Sequence, residues 1–427
     1  MSHVLQKPIK AIQAHGIIGP AAILFVSANI ANTANLVFNM IFARLMSPAL
    51  FADLTLLLTL KLGALSFLSA LQFAFAEMSA KENNIGLSKT KAYTLSWSSL
   101  KVSVPIMFIL IASAGLISTW LNFSSPWAFS VLALAVPFFL PMVIYRGLTQ
   151  GLIQIPKIVL SIQSEWIVRL IGSILLWKLG FGLVGIAVAV GLSILAGFIF
   201  STSKEDWTAC HAHSKGQSNA KTLGLIAMPY LILQFAQILV LDSDILIAKI
   251  TFSPETSGLV AGLLLIQRVF FFAFLSASMI LQPIVAKQRG QDGTSKELFV
   301  LLFAIALISA TALLAIIPNS DLVVRLLLGS AYGELASTIW ISALTGAVFI
   351  ISHLCAIYTI AKGQKRAAQI VLGFGIAQLF ILSVVNHIFA EISLDGYFMI
   401  KLGIQVICAV CLIGFILLPH RNPKPYQ

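Results

Sequence analysis

The chain predicts an all-α membrane protein of about twelve transmembrane helices in two six-helix bundles, with both termini in the cytoplasm. Three observations carry that prediction. Mean hydropathy is +0.98 and only 10% of residues are charged, which leaves too little polar surface to face water. About twelve mainly apolar runs of roughly 20 to 26 residues follow one another, each long enough to cross about 30 Å of hydrocarbon at 1.5 Å per residue. Basic residues gather in alternate gaps. Of 27 Lys and Arg, nineteen lie in one set of connections, Arg44, Lys178, Lys249 and Arg325 in the other, and Lys61, Arg169, Arg268 and Lys401 inside spans. Every connection is short enough for this bias to count, so the termini and even-numbered loops are assigned to the cytoplasm.

The spans fall near 17–43, 54–76, 98–120, 128–148, 157–178 and 181–201, then 223–248, 258–283, 298–318, 336–361, 367–388 and 397–418. The first follows a segment bearing Lys7 and Lys10 and has no small-residue cleavage site at the right distance, so it reads as an uncleaved signal anchor. The second restarts just after Ser47-Pro48. The third ends before Asn122-Phe123-Ser124, which matches a glycosylation sequon of the kind that also arises by chance. The fourth ends at Arg146 to Gly151, and the fifth carries Glu165 and Arg169. After the sixth comes the longest polar segment, which divides the chain into an amino-terminal bundle (1–200), a cytoplasmic linker (201–222) and a carboxy-terminal bundle (223–427).

The two halves begin alike. Pro20 and Pro229 stand early in their first helices, which end in Ala43-Arg44-Leu45-Met46-Ser47-Pro48 and Ala248-Lys249-Ile250-Thr251-Phe252-Ser253-Pro254. An even number of spans per half makes this a parallel repeat, related by an axis along the membrane normal, with a central cleft between bundles.

Positive-inside topology accounts for most of the net charge of +12 and leaves membrane lipids, not nucleic acid, as the surroundings of the basic loops. Cys408 and Cys411 have CxxC spacing but lie in the last apolar span, where they read as small hydrophobes. Cys210, His211 and His213 form a tight cluster in the 201–222 linker. No second Cys/His pair accompanies them, so a solvated loop and no metal is expected.

A charge in hydrocarbon costs several kcal/mol, so those that persist face a cavity or each other. Arg268 lies about ten residues into its span, beside Gln267. Either it faces a water-filled cleft and binds an anionic group, or it pairs with a fixed acid such as Asp244. Lys61, about seven residues from the end of its span, either snorkels or joins the anion site, and Lys401, about four residues in, reads as a snorkeller. Glu165 and Arg169 stack on one helix face and neutralise one another or serve transport. Gln234, Gln237 and Asp244 form a polar stripe with Asp242 on its flank, and Asn29, Asn32, Asn35 and Asn39 form its counterpart on the first span. Such stripes bond adjacent helices or line a cleft. Their equivalent positions in the two halves favour the cleft.

At these residues the chain resembles the polysaccharide flippases, the Wzx-like branch of the multidrug/oligosaccharidyl-lipid/polysaccharide (MOP) superfamily that also holds the MATE antiporters. Arg146-Gly147-Leu148-Thr149-Gln150-Gly151 is similar to that branch's Arg-Gly-x-x-Gln-Gly, followed at the usual distance by Glu165 and Arg169. Asp244, Lys249, Ser253-Pro254, Gly258 and Arg268 follow its seventh and eighth spans in order and spacing. Arg44 to Phe51, Gly329 to Tyr332 and Ala361-Lys362-Gly363 resemble further connections. Thr149, Gln282-Pro283 and Asp242 depart from the pattern.

The resemblance implies a MATE-like fold and translocation of undecaprenyl-diphosphate-linked oligosaccharide across a bacterial inner membrane, for polysaccharide biosynthesis, with a polymerase and a chain-length regulator as partners. In that role Arg268, Lys61 and Arg169 would bind the diphosphate. Asn29, Asn32, Asn35, Asn39, Gln234 and Gln237 would meet the sugars. Asp244 first, then Asp242 and Glu165, would couple the step to H⁺ or Na⁺. No nucleotide-binding motif is present, so ATP does not drive transport directly and no cofactor is expected. A MATE-like cation antiporter, a lipid II flippase and a polytopic enzyme acting on lipid-linked sugars are the competing readings. The first needs acids rather than buried cations, the second usually has two further spans, and the third needs sizeable outer loops.

Overall fold

A computed structural model of the chain describes residues 18–82, 84–203, 220–275, 285, 296–362, 364, 366–388 and 393–417. All regular structure among them is helical. The first half carries α1 (Ile18–Leu45), α2 (Pro48–Lys81), α3 (Ile85–Trp120), α4 (Pro126–Ala133), α5 (Val136–Gly151), α6 (Ile155–Lys178) and α7 (Gly182–Ser201). The second carries α8 (Ala220–Thr251), α9 (Pro254–Leu275), α10 (Lys296–Ile316), α11 (Ser320–Leu327), α12 (Ile339–Ala361), α13 (Arg366–Ile388) and α14 (Leu394–Leu417), with 3₁₀ turns at Ile317–Asn319 and Ser330–Ser337.

Eleven of these helices are long and apolar enough to cross a membrane, and α4 with α5, bent by 42°, makes a twelfth span. The predicted spans therefore all meet a helix, with two differences. The fourth is broken after Ala133, where Pro137 near the start of α5 supplies no N–H to continue the ladder. The second and third are longer than read: α2 has 34 residues and α3 has 36, about 51 and 54 Å, well past the hydrocarbon thickness. Polar residues such as Lys89 and Lys91 bounded the apolar run without ending the helix, and α3 is started by Asn84, whose side chain accepts the Leu87 N–H at 3.2 Å. The part of the eighth span beyond Leu275 and the Cys210, His211, His213 cluster lie outside the described residues.

Exposed apolar side chains line the third span of each half, with Phe108, Ile109 and Leu116 on α3 and Val300, Phe303 and Leu314 on α10. That much apolar surface is stable only against lipid.

The chain falls into two compact units whose boundary runs through helices instead of along the 201–222 segment. The first takes in α1 up to Asn35, Leu68–Gly115 and Ser125–Ala227. Within it, α5 lies hard against α2: a Cβ on Gly147 would come within 2.7 Å of the Gln72 carbonyl oxygen, and one on Gly151 within 2.5 Å of that of Ala76. Gln72 also donates to Gln150 at 3.0 Å. The two glycines of the Arg-Gly-x-x-Gln-Gly passage are thus contact points between backbones.

The second unit joins Leu36–Phe67 and Leu116–Ser124 to everything from Met228 onward. Here α9 and α12 are the most buried spans, held together by Ser342 donating to the Leu263 carbonyl at 2.6 Å and by Gly346 facing the Gln267 backbone.

Candidate functional site

Three buried ion pairs stand out among the described residues of the second unit. Asp242 and Asp244 lie two residues apart on α8, about 200° around the helix, so they address different neighbours. Asp242 meets α9: Arg268 donates from Nη2 at 2.6 Å and from Nε at 3.0 Å to the same Oδ1, and its Nη2 also reaches the Thr59 hydroxyl on α2 at 2.6 Å. Asp244 meets α14, where Tyr397 and Lys401, four apart and therefore on one face, close on it together. Tyr397 donates to Oδ1 at 2.9 Å, Lys401 bonds Oδ2, and Lys401 also donates to Gln267 at 2.8 Å. Burial separates the two pairs. Side-chain exposure is zero for both Lys401 and Asp244, and 8% for both Arg268 and Asp242.

The third pair closes a ring. Lys249, at the end of α8, contacts Asp53 near the start of α2 at 2.7 Å and donates to the Asn122 carbonyl at 2.5 Å. Asn122, in the left-handed region at φ 47°, returns a bond from Nδ2 to the Lys249 carbonyl at 2.9 Å, and the Ser124 N–H reaches Asp53 at 3.0 Å. The sequon residues Asn122 and Ser124, themselves exposed, therefore brace this joint. Beside it, Gly258 touches the corner before α2 so closely that a Cβ would fall 2.3 Å from Pro48 backbone atoms. Arg44, the counterpart of Lys249, is exposed and donates to the carbonyls of Arg325 and Leu326 in the last turn of α11, where the helix dipole attracts a cation.

In the first unit, Arg146 holds Glu165 at 3.0 Å, bonds the Ser161 hydroxyl from Nε at 2.8 Å and the Ser161 carbonyl from Nη2 at 3.0 Å. Ser161 in turn donates to the Gly197 carbonyl at 2.5 Å, which ties α5, α6 and α7 together. Arg169 is buried one helical turn beyond Glu165 and feels its charge.

The structure thus changes several sequence expectations. Arg268 has Asp242 as its acid, not Asp244, because the two carboxylates point to different helices. Lys401 is no snorkeller; it is completely buried among Asp244, Tyr397 and Gln267. Lys61 is buried too, two residues beyond Thr59 on α2. Glu165 pairs with Arg146, a partner the sequence did not suggest, and its charge also acts on Arg169. Of the polar stripes, Asn29, Asn32 and Asn35 belong to the first unit, where Asn29 bonds back to the Phe25 carbonyl at 2.8 Å; Asn39, Gln234 and Gln237 belong to the second. Asp53, Thr59 and Tyr397 were not foreseen. The spacing of Tyr397 and Lys401 was the one signal available for them.

No family profile and no curated protein sequence matches the chain. Solved structures do. It superposes on an inward-facing multidrug-resistance MATE family transporter of the MOP superfamily with a TM-score of 0.75 at 14% identity, covering 91% of this chain and 93% of the other. A eukaryotic MATE transporter gives 0.69 at 15% identity (95% and 94% covered), and an outward-facing MATE family transporter 0.67 at 14% (93% and 94%). The chain therefore has the MATE-like fold over nearly its whole length.

Proposed function

We propose that the chain is a flippase that moves undecaprenyl-diphosphate-linked oligosaccharide from the cytoplasmic to the outer leaflet of a bacterial inner membrane by alternating access. The observation that carries this reading is the balance of buried charge. Among the described residues Lys61, Arg146, Arg169, Lys249, Arg268 and Lys401 are buried, against Asp53, Asp242 and Asp244, with Glu165 half-buried. An interior with surplus cations in a low dielectric favours an anionic cargo. A diphosphate suits Arg268, Lys61 and Arg169, the amides of Asn29, Asn32, Asn35, Asn39, Gln234 and Gln237 suit sugar hydroxyls, and the lipid tail stays in the bilayer.

Coupling to H⁺ or Na⁺ would run through Asp242, Asp244 or Glu165. A polysaccharide polymerase and a chain-length regulator are the partners such a route requires, and both termini are taken as cytoplasmic.

Cation or drug antiport is the second reading, favoured by the fold neighbours, which are MATE transporters, and by the two carboxylates on α8. Surplus buried cations count against it. Proteoliposomes holding the purified chain separate the two. The flippase reading expects translocation of a labelled lipid-linked oligosaccharide and no efflux of a cationic dye; dye efflux without lipid translocation overturns it.

A further inference from the structure

We propose that Arg268 is an exchange site, held by Asp242 in the empty protein and by the diphosphate of the cargo in the loaded one, with Asp242 taking up one proton as the cargo binds. The proposal rests on the lipid-diphosphate reading above and adds the residue that answers to the cargo.

Three pairs could in principle meet an anion. Lys401–Asp244 is sealed, with neither side chain exposed and both partners further bonded to Tyr397 and Gln267. Lys249–Asp53 is 2% and 3% exposed and is locked by Asn122 and Ser124. Arg268–Asp242 keeps 8% exposure on each side. Of the three it is the most exposed, and therefore the one we take to meet an incoming group.

The geometry then dictates an exchange. Arg268 spends Nε and Nη2, one whole edge of the guanidinium, on a single Asp242 oxygen, and Nη2 again on Thr59. A phosphate that wants the same fork must displace the carboxylate. The displaced Asp242 then lacks its bonded cation. The charges facing it are Asp244 on its own helix, Lys401 on α14 and Arg268 on α9, and Lys401 is already committed to Asp244. An uncompensated carboxylate in this setting costs several kcal/mol, so a proton on Asp242 is the simplest compensation. Thr59 stays as the fixed bond that keeps the guanidinium in place, which makes it a positioning residue. By linkage, cargo and proton bind together, so affinity rises as pH falls, up to about tenfold per pH unit for one proton.

The probe is a short-chain prenyl-diphosphate N-acetylglucosamine, whose diphosphate diester does not titrate between about pH 5 and 8, measured by calorimetry on the full chain in detergent. Wild type should bind more tightly at pH 6 than at pH 8 and take up about one proton per ligand, read from buffers of different ionisation enthalpy. Asp242→Asn should bind at pH 8 at least as tightly as wild type does at pH 6, with no pH slope and no proton uptake. Thr59→Val should bind several-fold more weakly with the slope intact. Binding that is pH-independent in wild type, or equally pH-dependent in monodisperse Asp242→Asn, overturns the exchange while leaving the cargo reading standing. Absence of binding by folded wild type at every pH overturns the cargo reading, and the exchange with it.

Discussion

Asp242–Arg268 and Asp244–Lys401 start two residues apart on one helix and use the same chemistry, yet they are different devices. Around Asp244 every neighbour is a committed donor: Lys401 and Tyr397 reach it from one face of α14, and Gln267 holds Lys401 from α9. Around Asp242 the donors come from a single guanidinium shared with a hydroxyl on α2. The sealed pair has no alternative partner and can only hold helices together. The other keeps 8% exposure on each side chain, the opening that the proposed change of partners would use. Position along the helix axis hardly differs between the two acids; the helix each faces decides the role.

That contrast can be broken by removing one cation at a time. Lys401→Met strands a fully buried carboxylate and should cost about 3–5 kcal/mol, seen as a large fall in thermal or denaturant midpoint. The double variant Asp244→Asn/Lys401→Met should recover most of the loss, since the orphaned charge is gone. Arg268→Met should cost less, about 1–3 kcal/mol, because Asp242 can reach water or take a proton; equal losses for the two variants would erase the distinction drawn here. Arg44→Ala sharpens the lower end of the scale. Its exposed bonds to the α11 carbonyls should be worth under about 1 kcal/mol and should weaken further in high salt.

The spans were legible because hydrocarbon imposes length and composition on a helix, and alternation of Lys and Arg imposes an order on the loops. The repeated corners at Arg44 and Lys249 were legible for the same reason, as a basic residue and Ser-Pro closing a helix. What each corner grips was not. Arg44 takes backbone carbonyls and Lys249 takes Asp53, and carbonyls leave no trace in a side-chain pattern. The ion pairs were half visible. Arg268 was singled out by its depth, but its partner turned on a rotation of α8 that places Asp242 and Asp244 on opposite sides. Depth alone misjudged Lys401, which stands four residues beyond Tyr397 near the start of α14 and is nonetheless enclosed. The break between α4 and α5 was missed because Pro137 lies in a run that is apolar throughout.

The second unit also sets a timetable for synthesis. Its early strip, Leu36–Phe67, finds its partners only much later in the chain: Thr59 and Arg268 are 209 residues apart, and Arg44 and Leu326 are 282 apart. At about 5–20 residues per second, a ribosome needs roughly ten seconds to a minute to deliver those partners. Throughout that interval Asp53 waits in the nascent chain without Lys249. A chain stopped in the 201–222 segment would never supply it. Such a fragment carries Asp53 near the start of α2 without its ion-pair partner. The joint between Asp53 and Lys249 therefore closes only in molecules whose second half has been made.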